Sequence, residues 1–228
     1  GEYVWLSGLN LDEKRKEIFV QDQQKMHVYD FEGNFLRDFN LGCAWHVRTW
    51  ADASFITYQT SFFGAVLEEP AYFSIISKDD GKELKRIEVS HAIDKQENLR
   101  LSYTATDGSV FTSMYGHNPL QRVKNGYILS ELSSDTIYHI GREGRLSPIM
   151  ARKPSIANME DKPYYVVAGL ESERYLFMIR IGVEPKSEDL FNEYDIVYDK
   201  LEKKFYHYTI KDPDFPGKTI QFAGGFLR

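Results

Sequence analysis

A four-fold repeat constrains this chain more than any other feature. Each unit is an apolar strand, a polar turn, a second strand rich in Tyr and Ile, a Gly- or charge-bearing turn, and a further strand. The first unit runs Ile18-Phe19-Val20-Gln21-Asp22, then His27-Val28-Tyr29-Asp30-Phe31 and Glu32-Gly33-Asn34. The second carries Phe55-Ile56-Thr57-Tyr58 and Tyr72-Phe73-Ser74-Ile75-Ile76 before Lys78-Asp79-Asp80-Gly81. The third carries Tyr127-Ile128-Leu129 and Thr136-Ile137-Tyr138-His139-Ile140 before Gly144. The fourth carries Tyr175-Leu176-Phe177-Met178-Ile179 and Tyr194-Asp195-Ile196-Val197-Tyr198 before Glu202. The equivalent turn positions Gly33, Gly81, Gly144 and Glu202 lie 48, 63 and 58 residues apart. Self-similarity near fifty residues, with several strands per period, is the signature of a propeller blade, because one such sheet cannot bury its faces alone.

The 228 residues are 42% hydrophobic and 27% charged, enough for a sizeable core. Tyr and Phe number 15 each, which favours pleated strands over helices. No amphipathic helix longer than about ten residues is legible. The fold class expected is therefore all-β: a β-propeller of four-stranded blades, about four with flanking strands, over residues 1–228 as one domain. Both ends look unfinished, so the expectation is a fragment of a larger ring, with a compact four- or five-bladed ring as the alternative.

Along the chain, Val4 to Ser7 predicts a first strand, and Asp107-Gly108 predicts a hairpin between Leu99–Thr104 and Val110–Met114. Residues 90–126 fit the repeat least, and an extra or elongated hairpin is expected there. Cys43 to Trp50 opens the second blade. Lys186 to Asn192 reads as one helical turn capped by Ser187. Asp212 to Gly217 is a turn cluster, and Ile220 to Phe226 starts a further strand pair.

The formal charge is −6 and the isoelectric point about 5.6. An acidic chain without a basic stripe is a poor nucleic-acid binder, and Lys14-Arg15-Lys16 reads as a solvated turn among acids. Cys43 is the single cysteine. It has no disulfide partner and is expected as a small buried side chain near Leu41 and Ala44. His27, His46, His91, His117, His139 and His207 fall at no metal-ligand spacing, so neither a metal nor a cofactor is expected. No run of 18 apolar residues predicts a membrane-spanning helix. The start at Gly1-Glu2-Tyr3 carries no signal peptide, and a targeting segment removed ahead of it is expected.

No nucleophile elbow, phosphate loop, dinucleotide fingerprint or calcium loop is present, and no catalytic residue can be chosen. Asp79-Asp80-Gly81 is a hairpin turn, and Glu68-Glu69 a solvated loop. The strand Cys43-Ala44-Trp45-His46-Val47-Arg48-Thr49-Trp50 is the best candidate for lining a ligand site. Strict alternation would put Trp45, Val47 and Thr49 on one face and His46, Arg48 and Trp50 on the other. The competing reading packs the Trp rings between blades. Tyr58, Phe62, Phe63 and Tyr72 form either a stacking platform or inter-blade core. Tyr115-Gly116-His117-Asn118 is a loop able to donate and accept hydrogen bonds, so Tyr115 and His117 join the candidates.

The pattern Ile-Phe-Val-x-Asp, Val-Tyr-Asp, Gly-Asn-Phe is similar to the NHL class of propeller repeat. Asn125-Gly126-Tyr127-Ile128-Leu129, with Ser134-Asp135-Thr136-Ile137-Tyr138 and Gly144-Arg145-Leu146-Ser147-Pro148, resembles a six-bladed β-propeller family abundant in Bacteroidetes. The resemblance spans roughly Ile18 to Phe226. It implies an exported protein at the periplasm or cell surface, commonly anchored by a lipid outside this chain, and it supplies no catalytic motif. Six full blades need more residues than are here, which bears on ring closure and not on the blades. The function expected is a non-enzymatic binding module whose partner is a glycan, peptide or protein. The alternative is a metal-dependent lactonase or lyase with its site in the central channel, and a weaker third idea is assembly through exposed blade edges.

Overall fold

A computed structural model describes residues 6–61, 66–94, 99–104, 106–159, 163–183, 191–211, 214, 219–220, 222–223 and 226–227. The chain forms two compact units, residues 1–89 and 90–228.

The first unit holds two four-stranded antiparallel meanders. One is β1 (Leu6–Asp12), β2 (Glu17–Asp22), β3 (Lys25–Asp30) and β4 (Phe35–Asn40). The other is β5 (Ala44–Ala51), β6 (Ser54–Gln59), β7 (Tyr72–Ser77) and β8 (Glu83–Ile87). The second unit opens with the hairpin β9 (Leu99–Thr104) and β10 (Val110–Tyr115). Two more meanders follow: β11 (Leu120–Val123), β12 (Gly126–Leu129), β13 (Thr136–Gly141), β14 (Leu146–Ala151), then β15 (Tyr164–Glu171), β16 (Tyr175–Val183), β17 (Phe191–Asp199), β18 (Lys204–His207). Short pairs β19 (Ile210–Lys211) with β20 (Thr219–Ile220), and β21 (Phe222–Ala223) with β22 (Phe226–Leu227), complete it. Four consecutive strands, each hydrogen-bonded to the next, make a propeller blade, and the fold is an all-β propeller of such blades.

The repeat is therefore the blade, and its irregular spacing has a cause. In chain order the hairpin β9–β10 falls after the second blade and before the third, and it lengthens that period. It is a separate two-stranded sheet, the extra hairpin expected in this stretch. The tight turns fall between third and fourth strands, with Gly33, Gly81 and Gly144 at positive φ. In the fourth blade the left-handed position belongs to Lys203 (φ 56°), one residue beyond the Glu202 that spacing suggested. Gly126 carries a different constraint: at φ 142°, a Cβ there would lie 2.0 Å from the Ile140 carbonyl oxygen, so the start of β12 excludes any side chain.

Three local expectations change. Leu6 and Ser7 open β1 and not a separate short strand, while Val4 and Trp5 lie outside the described residues. Of the helical turn expected over 186–192, Phe191 and Asn192 instead begin β17, and 186–190 lie outside the described residues. Phe62 and Phe63 also lie outside them, as do most of 212–217. Cys43 is half-buried and not fully enclosed. Among the described residues the one helical segment is a 3-10 turn at Ile156–Asn158, and no helix is long and apolar enough to cross a membrane.

Blades meet through apolar faces. In the first unit Phe19, Met26, Val28, Phe39 and Leu41 interdigitate with Ala44, Val47, Phe55 and Ile76. The Phe19 and Phe55 rings meet edge to face at 4.9 Å. Each of these side chains larger than Ala44 stabilises the fold by about 1.5–3 kcal/mol through burial. A buried ion pair joins the same two blades: Lys78 Nζ donates to Asp12 Oδ2 at 2.5 Å, with the two side chains 1% and 7% exposed. Arg15 is not the solvated residue its neighbours suggested; it pairs with Glu17 at 2.8 Å and with Asp79, while Arg37 donates twice to Glu17.

Candidate functional site

The candidate strand β5 does not alternate. Trp45 pairs with Tyr58 and Arg48 with Ile56, so His46 and Val47 together oppose the single residue Thr57. His46 has φ 52°, the left-handed conformation of a bulge. A second irregularity lies between Thr49 and Ala51, at Trp50. Cross-strand partners share a face, so Trp45 and Arg48 lie on the same face and not on opposite ones. Val47 points the other way into the apolar cluster with Phe19 and Phe55. Trp45 and His46 meet edge to face at 5.9 Å, and Arg48 donates to the Val47 carbonyl at 2.9 Å. The four candidates Trp45, His46, Arg48 and Trp50 are all half-buried. Tyr58 stacks with Phe73 at 4.9 Å, whereas Tyr72 pairs with Gln59 and carries Arg86 over its ring at 3.5 Å. Tyr58 and Tyr72 therefore occupy opposite faces and share no platform.

In the second unit the β12–β13 connection, Ser130-Glu131-Leu132-Ser133-Ser134-Asp135, is buried almost throughout. Loops usually run over the surface because their backbone groups need partners. Here the partners are supplied. Ser130 N donates to the Pro119 carbonyl at 2.9 Å, and Ala168 N donates to Ser130 Oγ at 3.2 Å. The Ser133 carbonyl accepts Ala92 N at 2.9 Å, and Ser134 Oγ donates to the Thr136 carbonyl at 2.9 Å. Asp135 Oδ1 accepts Ile156 N at 2.8 Å and Arg152 Nη2 at 3.1 Å. The Arg152 guanidinium donates further to the carbonyls of Tyr164 at 2.5 Å and Ser134 at 3.5 Å. Burial alone would raise the Asp135 pKa, but the Ser155 hydroxyl, the Ile156 amide and Arg152 hold it below the usual carboxylate value.

One end of this segment meets His91 and His117. His91 Nε2 and Glu131 Oε2 are 2.6 Å apart, with the Glu131 side chain 2% exposed and the Ser133 hydroxyl donating to it at 3.4 Å. Both ring nitrogens of His117 are shut off from solvent and complete no hydrogen bond among the described residues. Burial pushes the His117 pKa down to about 4, against the Glu131 carboxylate and the Ser130 backbone, which favour the charged ring. Tyr115 is buried, with its ring 5.4 Å from that of Phe191, in the cluster with Leu132, Ile156 and Tyr165. The sequence candidates thus divide, with Trp45, His46, Arg48 and Trp50 in one unit and Tyr115 and His117 in the other.

A neutral His117 makes stability depend on acidity. Its folded pKa lies below the unfolded one, so the unfolded chain binds the proton first. Its contribution is complete above the unfolded value near 6.5 and is lost as pH falls through the folded value near 4. Between pH 7 and pH 4 this residue should remove roughly 3 kcal/mol of unfolding free energy. Urea titrations across that range on the parent and on His117→Phe check it; the difference between them should shrink or reverse as pH falls. Parallel pH profiles would contradict the assignment.

The other end of the buried segment opens on a pocket of about 470 Å³ between the third and fourth blades. Ser134, Asp135, Ile137, Met150, Ala151, Arg152 and Lys153 form one wall. Tyr164, Val166, Arg180, Ile196 and Phe205 form the other. None of His91, His117 or Glu131 lines it. Arg180 pairs across strands with Val166 and Tyr194, so its side chain shares their face. Its guanidinium lies 4.3 Å from the Tyr164 ring centroid and 5.7 Å from that of Tyr194. Sequence reasoning missed this site. Its signal was a charge inside an apolar strand, Leu176-Phe177-Met178-Ile179-Arg180-Ile181, at a position whose face is buried. Among the described residues no three His, Cys, Asp or Glu side chains group to hold a metal.

No family model matches the chain, and no curated protein sequence matches it. Solved structures do. An endo-arabinase from Bacteroides thetaiotaomicron is similar at 12% identity over 96% of this chain and 88% of its own, with a TM-score of 0.36. Virginiamycin B lyase from Staphylococcus aureus is similar at 12% identity over 82% and 68%, with a TM-score of 0.33. The WD40 domain of SCAP from fission yeast follows at 12% identity over 96% and 78%, with a TM-score of 0.25. The fold itself rests on the four meander sheets, and these likenesses add no functional detail.

Proposed function

We propose that this chain is a non-enzymatic ligand-binding module and that the pocket between the third and fourth blades is its binding site. The observation that carries this is the composition of the pocket wall. Ile137, Met150, Val166, Ile196 and Phe205 make it apolar, and its volume of about 470 Å³ lies in the range of small-molecule sites. Three cations, Arg152, Lys153 and Arg180, face one carboxylate, Asp135, leaving a formal +2 in a chain of net −6. Such a wall attracts an anionic group that carries apolar surface. The reading goes with the NHL-like, exported, six-bladed kinship that the repeat motifs imply. In that setting the module acts at the periplasm or cell surface, on a small molecule or on the end of a glycan, peptide or protein.

The test uses 8-anilinonaphthalene-1-sulfonate, an apolar fluorescent anion, with the native protein. Saturable binding of one equivalent is expected, weakened about tenfold or more by Ala151→Trp, which fills the pocket with a ring. Dye binding of equal strength in the folded Ala151→Trp variant would overturn the reading.

A further inference from the structure

The two arginines of the pocket are not equivalent. Arg152 is 8% exposed, and its guanidinium is consumed by Asp135, the Tyr164 carbonyl and the Ser134 carbonyl. Arg180 has no hydrogen bond or ion pair among the described residues, only the faces of Tyr164 and Tyr194. Stacking fixes the plane of a guanidinium and leaves its N–H fork free for a bidentate acceptor. Of the other polar groups on the wall, Ser134 and Asp135 are already engaged, while Lys153 is exposed and offers a solvated point charge without a fork. The Ser134 hydroxyl donates to the Thr136 carbonyl and accepts Thr136 N. Asp135 is bound to Arg152 and to Ile156 N. A sugar would bring several hydroxyls to a wall with few unused partners, and each unpaired hydroxyl would cost affinity. Ile137, Met150, Val166, Ile196 and Phe205 offer apolar surface instead.

From this we infer the ligand class: a small monocarboxylate on an apolar ring or short apolar chain, its carboxylate held by Arg180 and its body laid against Val166, Ile196 and Phe205. Arg152 is a positioning residue that holds the wall together through Asp135. The inference rests on the pocket being the binding site, as proposed above.

Phenylacetate and its neutral isostere phenylacetamide separate the two statements. Each is titrated into the native protein by calorimetry, and each is tested for displacement of the bound dye. Phenylacetate should bind roughly tenfold or more tightly than the amide, the scale of a charge-assisted hydrogen bond. Arg180→Gln should abolish the preference, and Arg180→Lys, which keeps the charge but loses the fork, should retain part of it. Unchanged thermal midpoints in both variants show that the wall is intact. Equal binding of acid and amide, or a preference that survives Arg180→Gln, overturns the carboxylate assignment and leaves the pocket standing. Binding of neither compound, together with dye fluorescence unaffected by Ala151→Trp, overturns the pocket as well.

Discussion

Asp12→Ala is expected to lower the stability of the first unit by about 4 kcal/mol, because it leaves a buried ammonium without its counter-ion. Lys78 is 1% exposed, it donates to Asp12 at 2.5 Å, and its ammonium lies 5.4 Å from the Phe55 ring centroid. Water cannot reach it to replace the lost carboxylate. Burial alone would raise the Asp12 pKa, but the Lys78 ammonium and the Arg15 and Lys14 amides hold it below the usual value. Stability from this group is therefore present above the unfolded value of 3.8 and lost as pH falls through the lower folded one. All three tryptophans, Trp5, Trp45 and Trp50, belong to residues 1–89, so urea unfolding followed by Trp fluorescence reports this unit. The double variant Asp12→Leu with Lys78→Met should recover most of the loss, since apolar replacement of a whole buried pair is often neutral or better. A single variant costing under about 1 kcal/mol would show that the pair is hydrated and not buried.

The second large effect is expected at Asp135. Asp135→Ala removes the acceptor of both Ile156 N and Arg152, and Arg152 stays enclosed with two carbonyl partners and no anion. A loss of about 4 kcal/mol follows from the stranded charge and the orphaned amide together. Asp135→Asn keeps an acceptor oxygen and should cost about half as much. Chemical denaturation followed by far-ultraviolet circular dichroism measures both. Equal stability of the parent and Asp135→Ala would remove the buried connection from its place as the organiser of these two blades.

The sequence made the blades legible because period-2 apolar strands and Gly turns are local signals. Gly33, Gly81 and Gly144 each announce a third-to-fourth strand turn, and the inserted hairpin announced itself through Asp107-Gly108. The fourth turn slipped by one residue because Lys203 takes a left-handed φ that no glycine marked. The faces of β5 were misread for a similar reason: nothing in Trp45-His46-Val47 distinguishes a bulged His from a regular one, and one extra residue exchanges the faces beyond it. The Ser134-Asp135-Thr136-Ile137-Tyr138 motif was visible as a family resemblance. Its physical role as a buried hub was not, because Arg152 reaches Asp135 through the pairing of Thr136 with Ala151, and Ile156 through the turn that follows, and neither contact is marked in the segment itself. The pocket was invisible because its two walls come from segments as much as 71 residues apart, from Ser134 to Phe205.

The proposed site is the pocket between the third and fourth blades. Methyl chemical shifts of labelled Ile, Val and Met residues during a phenylacetate titration test it most directly. Saturable shifts are expected, confined to Ile137, Met150, Val166 and Ile196, which line the pocket. Shifts concentrated at Val47 and Met26 of the first unit, or no shifts at saturating acid, would contradict it.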